Sequence, residues 1–234
     1  MTAHWHIFND KAALVAGLGE LVEDCLKTAL DQRGQASMAL SGGGTPMPLY
    51  AALANASLDW ARVWAVPTDE RWVSASHAAN NLGQIAEHMA SSDIGLVGLV
   101  PDEPAGMPDP VPARSALAAL PGSFDVVIVG MGGDGHFASL FPRSPALVAG
   151  LDPDGQESAL VVTPDPLPPE APFERISLTL SKLLATRYLV LLITGEEKRE
   201  VFERAARSDA DANELPIAAL IRAAGSRLNV FWSP

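Results

Sequence analysis

The chain has 234 residues, 48 % of them hydrophobic, and 16 Lys and Arg against 28 Asp and Glu give it a formal charge of −12. That length suits one large α/β domain or two small ones, and the acidic balance argues against nucleic acid or an anionic membrane as partner. A single cysteine, Cys25, excludes an intrachain disulfide and a cysteine zinc cluster; no apolar run approaches the roughly 20 residues of a membrane span, and the first ten residues lack a signal-peptide pattern, so a cytoplasmic protein is expected.

Residues 5–9 read as a short first strand. Residues 10–33 carry Leu14, Leu18, Leu21, Val22, Cys25, Leu26 and Leu30 at helical spacing, and Gly34 ends that helix. Residues 36–40 form a strand entering Ser41-Gly42-Gly43-Gly44-Thr45-Pro46, with a helix over 46–55 that Thr45 caps and Pro46 starts. Residues 63–66 are the next strand, running into Pro67-Thr68-Asp69-Glu70-Arg71 as a charged loop. Residues 78–90 are helical, 101–112 are a proline-rich acidic loop, and a short helix lies near 113–120.

The apolar run 124–129 (FDVVIV) reads as a buried parallel strand. It enters Gly130-Met131-Gly132-Gly133-Asp134-Gly135-His136, in which four glycines fall within six residues. Beyond it, 143–157 is loop-like, 159–163 a strand, 164–172 a proline-rich connection, 175–180 a strand and 181–186 a helix. A strongly apolar strand at 187–194, a helix opened by Gly195 over 196–207, a helix over 213–224 and a strand at 228–232 complete the chain. Alternating β and α units predict a mostly parallel open sheet with helices on both faces, Rossmann-like in plan.

Ligands of such sheets bind at the carboxyl ends of strands, and four motifs fall there: 41–46, 68–71, 130–136 and 195–198. The glycines of the first expose backbone N–H groups that suit phosphate; no Lys-Ser/Thr follows, so it is not a Walker loop. The second sets Asp69, Glu70 and Arg71 side by side, with Arg71 either binding phosphate or holding its neighbouring carboxylates. In the third, Gly130, Gly132 and Gly135 match G-x-G-x-x-G, but Pro142 follows too soon for a long helix, which weakens a dinucleotide reading. His136 reads instead as an acid/base group that Asp134 orients. In the fourth, Lys198 stands in the first turn of a helix, where a cation opposes the dipole unless an anion compensates it. Arg175 is a further basic candidate. His4, His6, His77 and His88 show no metal-ligand spacing, so no metal is predicted.

These motifs, in this order, resemble the 6-phosphogluconolactonase family. The matching blocks are 40–46 (LSGGGTP), 69–73 (DERWV), Asn80-Asn81, 130–142 (GMGGDGHFASLFP), 175–179 (RISLT), 195–198 (GEEK) and Leu215-Pro216-Ile217. Gly44 stands where many members have serine, and Gly133 where proline is common. The resemblance covers nearly the whole chain. It implies a single domain over 1–234, of the fold shared with glucosamine-6-phosphate deaminase and ribose-5-phosphate isomerase. It implies hydrolysis of 6-phospho-D-glucono-1,5-lactone to 6-phospho-D-gluconate, in the pentose phosphate pathway, by a monomer or homodimer.

In that reading the phosphate rests on Ser41 and the backbone of Gly42, Gly43, Gly44 and Thr45. Arg71, Arg175 and Lys198 pair with it, and Asp69, Glu70 and Gly132 complete the substrate site. Neutral His136, held by Asp134, takes a proton from water, and N–H groups of the glycine turn stabilise the oxyanion. The lactone is an activated ester, so neither metal nor cofactor is expected. Two alternatives stay open. The related deaminases have a glutamate where Phe141 stands and a tyrosine where Arg71 stands. A non-catalytic sugar-phosphate sensor would need a partner-binding module, for which no segment is spare.

Overall fold

A computed structural model of the chain describes residues 3–164, 167 and 171–234. In chain order it forms β1 (His4–Ile7), α1 (Lys11–Arg33), β2 (Ala36–Leu40), α2 (Met47–Leu53), β3 (Val63–Pro67), β4 (Asp69–Arg71), α3 (Asn81–His88) and β5 (Gly95–Leu96). There follow α4 (Val111–Ala118), β6 (Phe124–Val129), α5 (Leu147–Gly150), β7 (Ala159–Val162), β8 (Arg175–Leu178), α6 (Leu180–Leu184), β9 (Thr186–Thr194), α7 (Glu196–Ala205), α8 (Ile217–Ala224) and β10 (Leu228–Ser233). Residues 165–166 and 168–170 of the expected proline-rich connection lie outside the described residues.

Seven strands form one sheet in the order β1-β10-β9-β6-β2-β3-β5, and every pairing in it is parallel. Side chains alternate between its faces as strand geometry requires. Met38, Leu40, Val126, Ile128, Val190, Leu192 and Phe231 pack with α1, α2 and α3 on one side. Ala39, Val127, Val129, Leu189, Leu191, Val230 and Trp232 pack with α4, α6, α7 and α8 on the other. Both faces are therefore apolar, which is why β6 from Val126 to Val129 and β9 from Tyr188 to Ile193 read as continuous hydrophobic runs.

Helix α1 behaves as its sequence predicts. Asp10 accepts a hydrogen bond from Ala13 N at 2.8 Å, and Gly34 closes the helix at φ 75° with its N–H on Leu30 O. Helix α2 differs. Thr45 makes no cap; Pro46 occupies the capping position, and no side chain caps the helix. Strands β7 and β8 pair antiparallel and stand outside the parallel sheet. With β4 they form a second, antiparallel sheet in the order β4-β8-β7. Two elements went unread in the sequence because they are too short to leave a pattern: the two-residue β5 and the four-residue α5. No described helix is long and apolar enough to cross a membrane.

Candidate active site

The strands carrying the four motifs, β2, β3, β6 and β9, are neighbours or near neighbours in the middle of the parallel sheet, and their carboxyl ends open into one cleft of about 740 Å³. The antiparallel sheet supplies part of its wall through Asp69, Arg71 and Arg175.

The turn after β2 forms the floor. Gly43 takes φ 86°, a conformation natural to glycine. Among the described residues no backbone acceptor pairs with the N–H groups of Gly42, Gly43, Gly44 or Thr45. Gly42 is glycine for a steric reason: a Cβ there would lie 2.1 Å from Asn81 Oδ1. Tyr50 donates its hydroxyl to Ser41 O at 2.9 Å, fixing the start of the turn.

Residues 69–71 are not a loop of three adjacent ligands. They are strand β4, and its two-residue period divides them. Asp69 and Arg71 face the cleft. Glu70 points the other way, is buried, and does not line the cleft. Its Oε1 accepts from Asn81 N at 2.7 Å and from Arg71 N at 2.9 Å, and its Oε2 accepts from Leu82 N at 2.8 Å. It therefore binds the amino end of α3 rather than substrate. Burial pushes its pKa up to about 7, against three N–H donors that hold it down.

Arg71 pairs directly with Arg175 across the antiparallel β4–β8 ladder. Arg71 Nη1 donates to Ala79 O at 2.7 Å, and Arg175 Nη2 donates to Ala171 O at 2.9 Å. Arg71 Nε and Arg175 Nη1 are buried without partners among the described residues. Burial lowers the Arg175 pKa; Asp69 acts against that and Arg71 adds to it. The Arg71 guanidinium holds neither neighbouring carboxylate: Glu70 takes only its backbone N–H, and Asp69 accepts from Ser139 Oγ at 2.5 Å and from Thr68 Oγ1 at 3.3 Å.

The turn after β6 carries the imidazole. His136 Nδ1 lies 2.6 Å from Asp134 Oδ1, which leaves Nε2 as the ring nitrogen for chemistry. Burial acts to raise the Asp134 pKa, but the hydrogen bond and charge of His136 outweigh it and hold the carboxyl below its usual value. Asp134 does not itself line the cleft, whereas His136 does. Gly132 makes room for the ring, since a Cβ there would sit 2.2 Å from His136 Nδ1. The Gly132 N–H is not available to a ligand, because it donates to His136 O at 2.8 Å and so closes the turn. Lys198 reaches the same turn from α7 and donates to Met131 O. Burial lowers its pKa, against the charges of Asp134 and Glu197.

Of the residues the sequence marked, the cleft thus gathers Ser41, Gly42, Gly43, Gly44, Thr45, Asp69, Arg71, Gly132, His136, Arg175 and Lys198, with Asp134 behind the imidazole and Glu70 excluded. Sequence reasoning gave no role to Asn81, Ser139, Phe141 or His77, which also line it. Asn81 donates Nδ2 to Asp69 O at 2.7 Å and keeps its buried Oδ1 unpartnered. The Asn80-Asn81 pair was the available signal: the first caps α3 through Gly83 N, and the second faces the ligand side.

Residues 9–232 match the family model described as Glucosamine-6-phosphate isomerases/6-phosphogluconolactonase. The chain belongs to this family. A 6-phosphogluconolactonase from Pseudomonas putida is 38 % identical over 232 residues, 98 % of this chain and 92 % of its own length. One from Rhizobium meliloti strain 1021 is 35 % identical over 237 residues and covers both chains completely. The crystal structure of a 6-phosphogluconolactonase from Shewanella baltica OS155 superposes with a TM-score of 0.90 at 34 % identity, covering 99 % of this chain and 98 % of that one. The glucosamine-6-phosphate isomerase/6-phosphogluconolactonase membership accounts for the parallel sheet and for motifs at four strand ends.

Proposed function

We propose that the chain is a 6-phosphogluconolactonase, hydrolysing 6-phospho-D-glucono-1,5-lactone to 6-phospho-D-gluconate in the pentose phosphate pathway, and that residues 1–234 act as one catalytic domain. The observation that carries this reading is one cleft that holds two unlike groups: a pair of adjacent arginines, and an imidazole oriented by a carboxylate.

The phosphate sits on the N–H groups of residues 42–45 and meets Arg71, Arg175 and Lys198, a local cationic site in a chain of formal charge −12. With the phosphate held there, the lactone carbonyl lies by His136. Nε2 takes a proton from water as the water oxygen bonds to C1, and the carbonyl oxygen becomes an oxyanion. The C1–ring oxygen bond then breaks, and the imidazolium returns its proton to that ring oxygen. The products are a free hydroxyl and a carboxylic acid, which ionises. Asp134 holds the imidazole in one tautomer and stabilises its cation. Such a base contributes about 10²–10⁴-fold.

Two positions favour the lactonase arm of the family over the deaminase arm. Phe141 carries no group able to move a proton, and Arg71 supplies a cation at the phosphate end. The test offers the protein both substrates in parallel: lactone, generated in place by glucose-6-phosphate dehydrogenase with the spontaneous rate subtracted, and glucosamine 6-phosphate, with ammonia release measured. Acceleration of the first alone is expected; release of ammonia would reverse the assignment.

A further inference from the structure

Phe141 follows the catalytic turn and lines the cleft half-buried, without a hydrogen-bonding side chain to explain its place. Its ring centroid lies 4.3 Å from that of the His136 imidazole, at an interplanar angle of 32°. The Arg175 guanidinium carbon lies 4.8 Å from the same centroid. One phenyl ring therefore touches both the proton-transferring group and one of the two paired arginines.

The imidazole is otherwise held at a single atom. Asp134 fixes Nδ1 but leaves the ring free to turn about that contact, and Gly132 behind it presents no side chain. The face of Phe141 supplies the missing restraint on the plane. It also has an electrostatic effect. An aromatic face is the negative part of the ring's quadrupole and attracts cations. Arg175 already uses that attraction, and the imidazolium formed when His136 accepts a proton is a second cation against the same ring. The charged groups around His136 are Asp134 on its own turn, Glu197 and Lys198 from α7, and Arg175 beyond the phenyl ring. Arg143 and Glu214, on the segments flanking this turn, are paired with each other.

We propose that Phe141 is a positioning residue that fixes the plane of His136 and seats Arg175. The proposal rests on His136 being the base of the reaction described above. Its test nevertheless reads the protein without substrate. The orientation of the His136 ring is followed by NMR, through the nuclear Overhauser contacts of its Cδ2 and Cε1 protons, in the wild type, Phe141→Leu, Phe141→Met and Phe141→Tyr, beside kcat for the lactone and the affinity for inorganic phosphate. Methionine nearly conserves volume without an aromatic face, so it serves if the leucine variant fails to fold.

In the leucine and methionine variants the fixed pattern of His136 ring contacts is lost, kcat falls about tenfold, and phosphate binds severalfold more weakly. Tyrosine, which keeps the ring, restores all three. A pattern of His136 ring contacts unchanged in Phe141→Leu and Phe141→Met overturns the proposal, whatever their activity. His136 ring contacts that change with residue 141 in a protein with no lactone turnover sustain the proposal and refute the lactonase reading.

Discussion

Arg71 and Arg175 are direct partners in the β4–β8 ladder, so two like charges stand on one face of a three-stranded sheet. Directly opposed like charges destabilise a strand pair, and each of these guanidiniums also has a buried nitrogen without a partner. In the proposed site, a dianionic phosphate between them would relieve both costs. Replacing Arg71 by alanine removes one charge-assisted contact of roughly 1.5–3 kcal/mol, so KM for the phosphorylated lactone rises about 10–100-fold. Hydrolysis of unphosphorylated glucono-1,5-lactone, measured beside it, changes little. Equal losses on both substrates would place Arg71 outside phosphate recognition.

The same pair predicts a ligand effect on stability. Inorganic phosphate or 6-phosphogluconate, bound by the folded chain alone, raises Tm with concentration. In Arg175→Ala the rise is smaller, while the unliganded protein loses the repulsion with Arg71. Thermal melts across a phosphate series check this; identical ligand-induced shifts in variant and wild type would contradict it.

Gly132 is an independent probe of the imidazole. The Cβ of Gly132→Ala would meet His136 Nδ1 at 2.2 Å and Asp134 Oδ1 at 2.6 Å. Both side chains must then swing away, so kcat falls by about 10²-fold or more, as expected for loss of a general base. Affinity for 6-phosphogluconate persists, because the phosphate end is untouched. Steady-state kinetics with calorimetric product binding separate the two quantities.

Much of this architecture was legible in the sequence. Strands β2, β6 and β9 are apolar runs ending in glycine, and strand-end logic brought their motifs to one place before any coordinates. Glu70 was misread because Asp69-Glu70-Arg71 looks like a charged loop until pairing with β8 makes it a strand; a period of two then sends its middle residue away from the cleft. That pairing is long-range, between residues about a hundred positions apart, and leaves no local pattern. The positions of Asn81 and Phe141 stood out in the motifs but their roles did not, for a related reason: these lie in what the side chains touch, not in their own chemistry.

Glu70 gives the pH prediction. Its pKa rises from an ordinary 4.5 to about 7 in the folded chain, so between these values the folded state holds the proton more tightly than the unfolded state. This contribution to stability is complete below about pH 4.5 and disappears as pH rises through 7, a loss of about 3 kcal/mol. Denaturant unfolding at pH 5 and pH 8 measures it as the difference between wild type and Glu70→Gln. The wild type loses more stability over that interval; parallel losses would show that Glu70 does not titrate there.

The most direct test of the central claim follows 6-phosphoglucono-1,5-lactone itself. Its conversion to 6-phosphogluconate is recorded by phosphorus NMR without protein, with wild type and with His136→Ala, at one pH and temperature. The lactone should disappear far faster with wild type than in buffer. His136→Ala should return the rate most of the way to the spontaneous one, by about 10²–10⁴-fold, while still binding 6-phosphogluconate. Wild-type protein that leaves the spontaneous rate unchanged, or a His136→Ala variant as fast as wild type, would contradict the account.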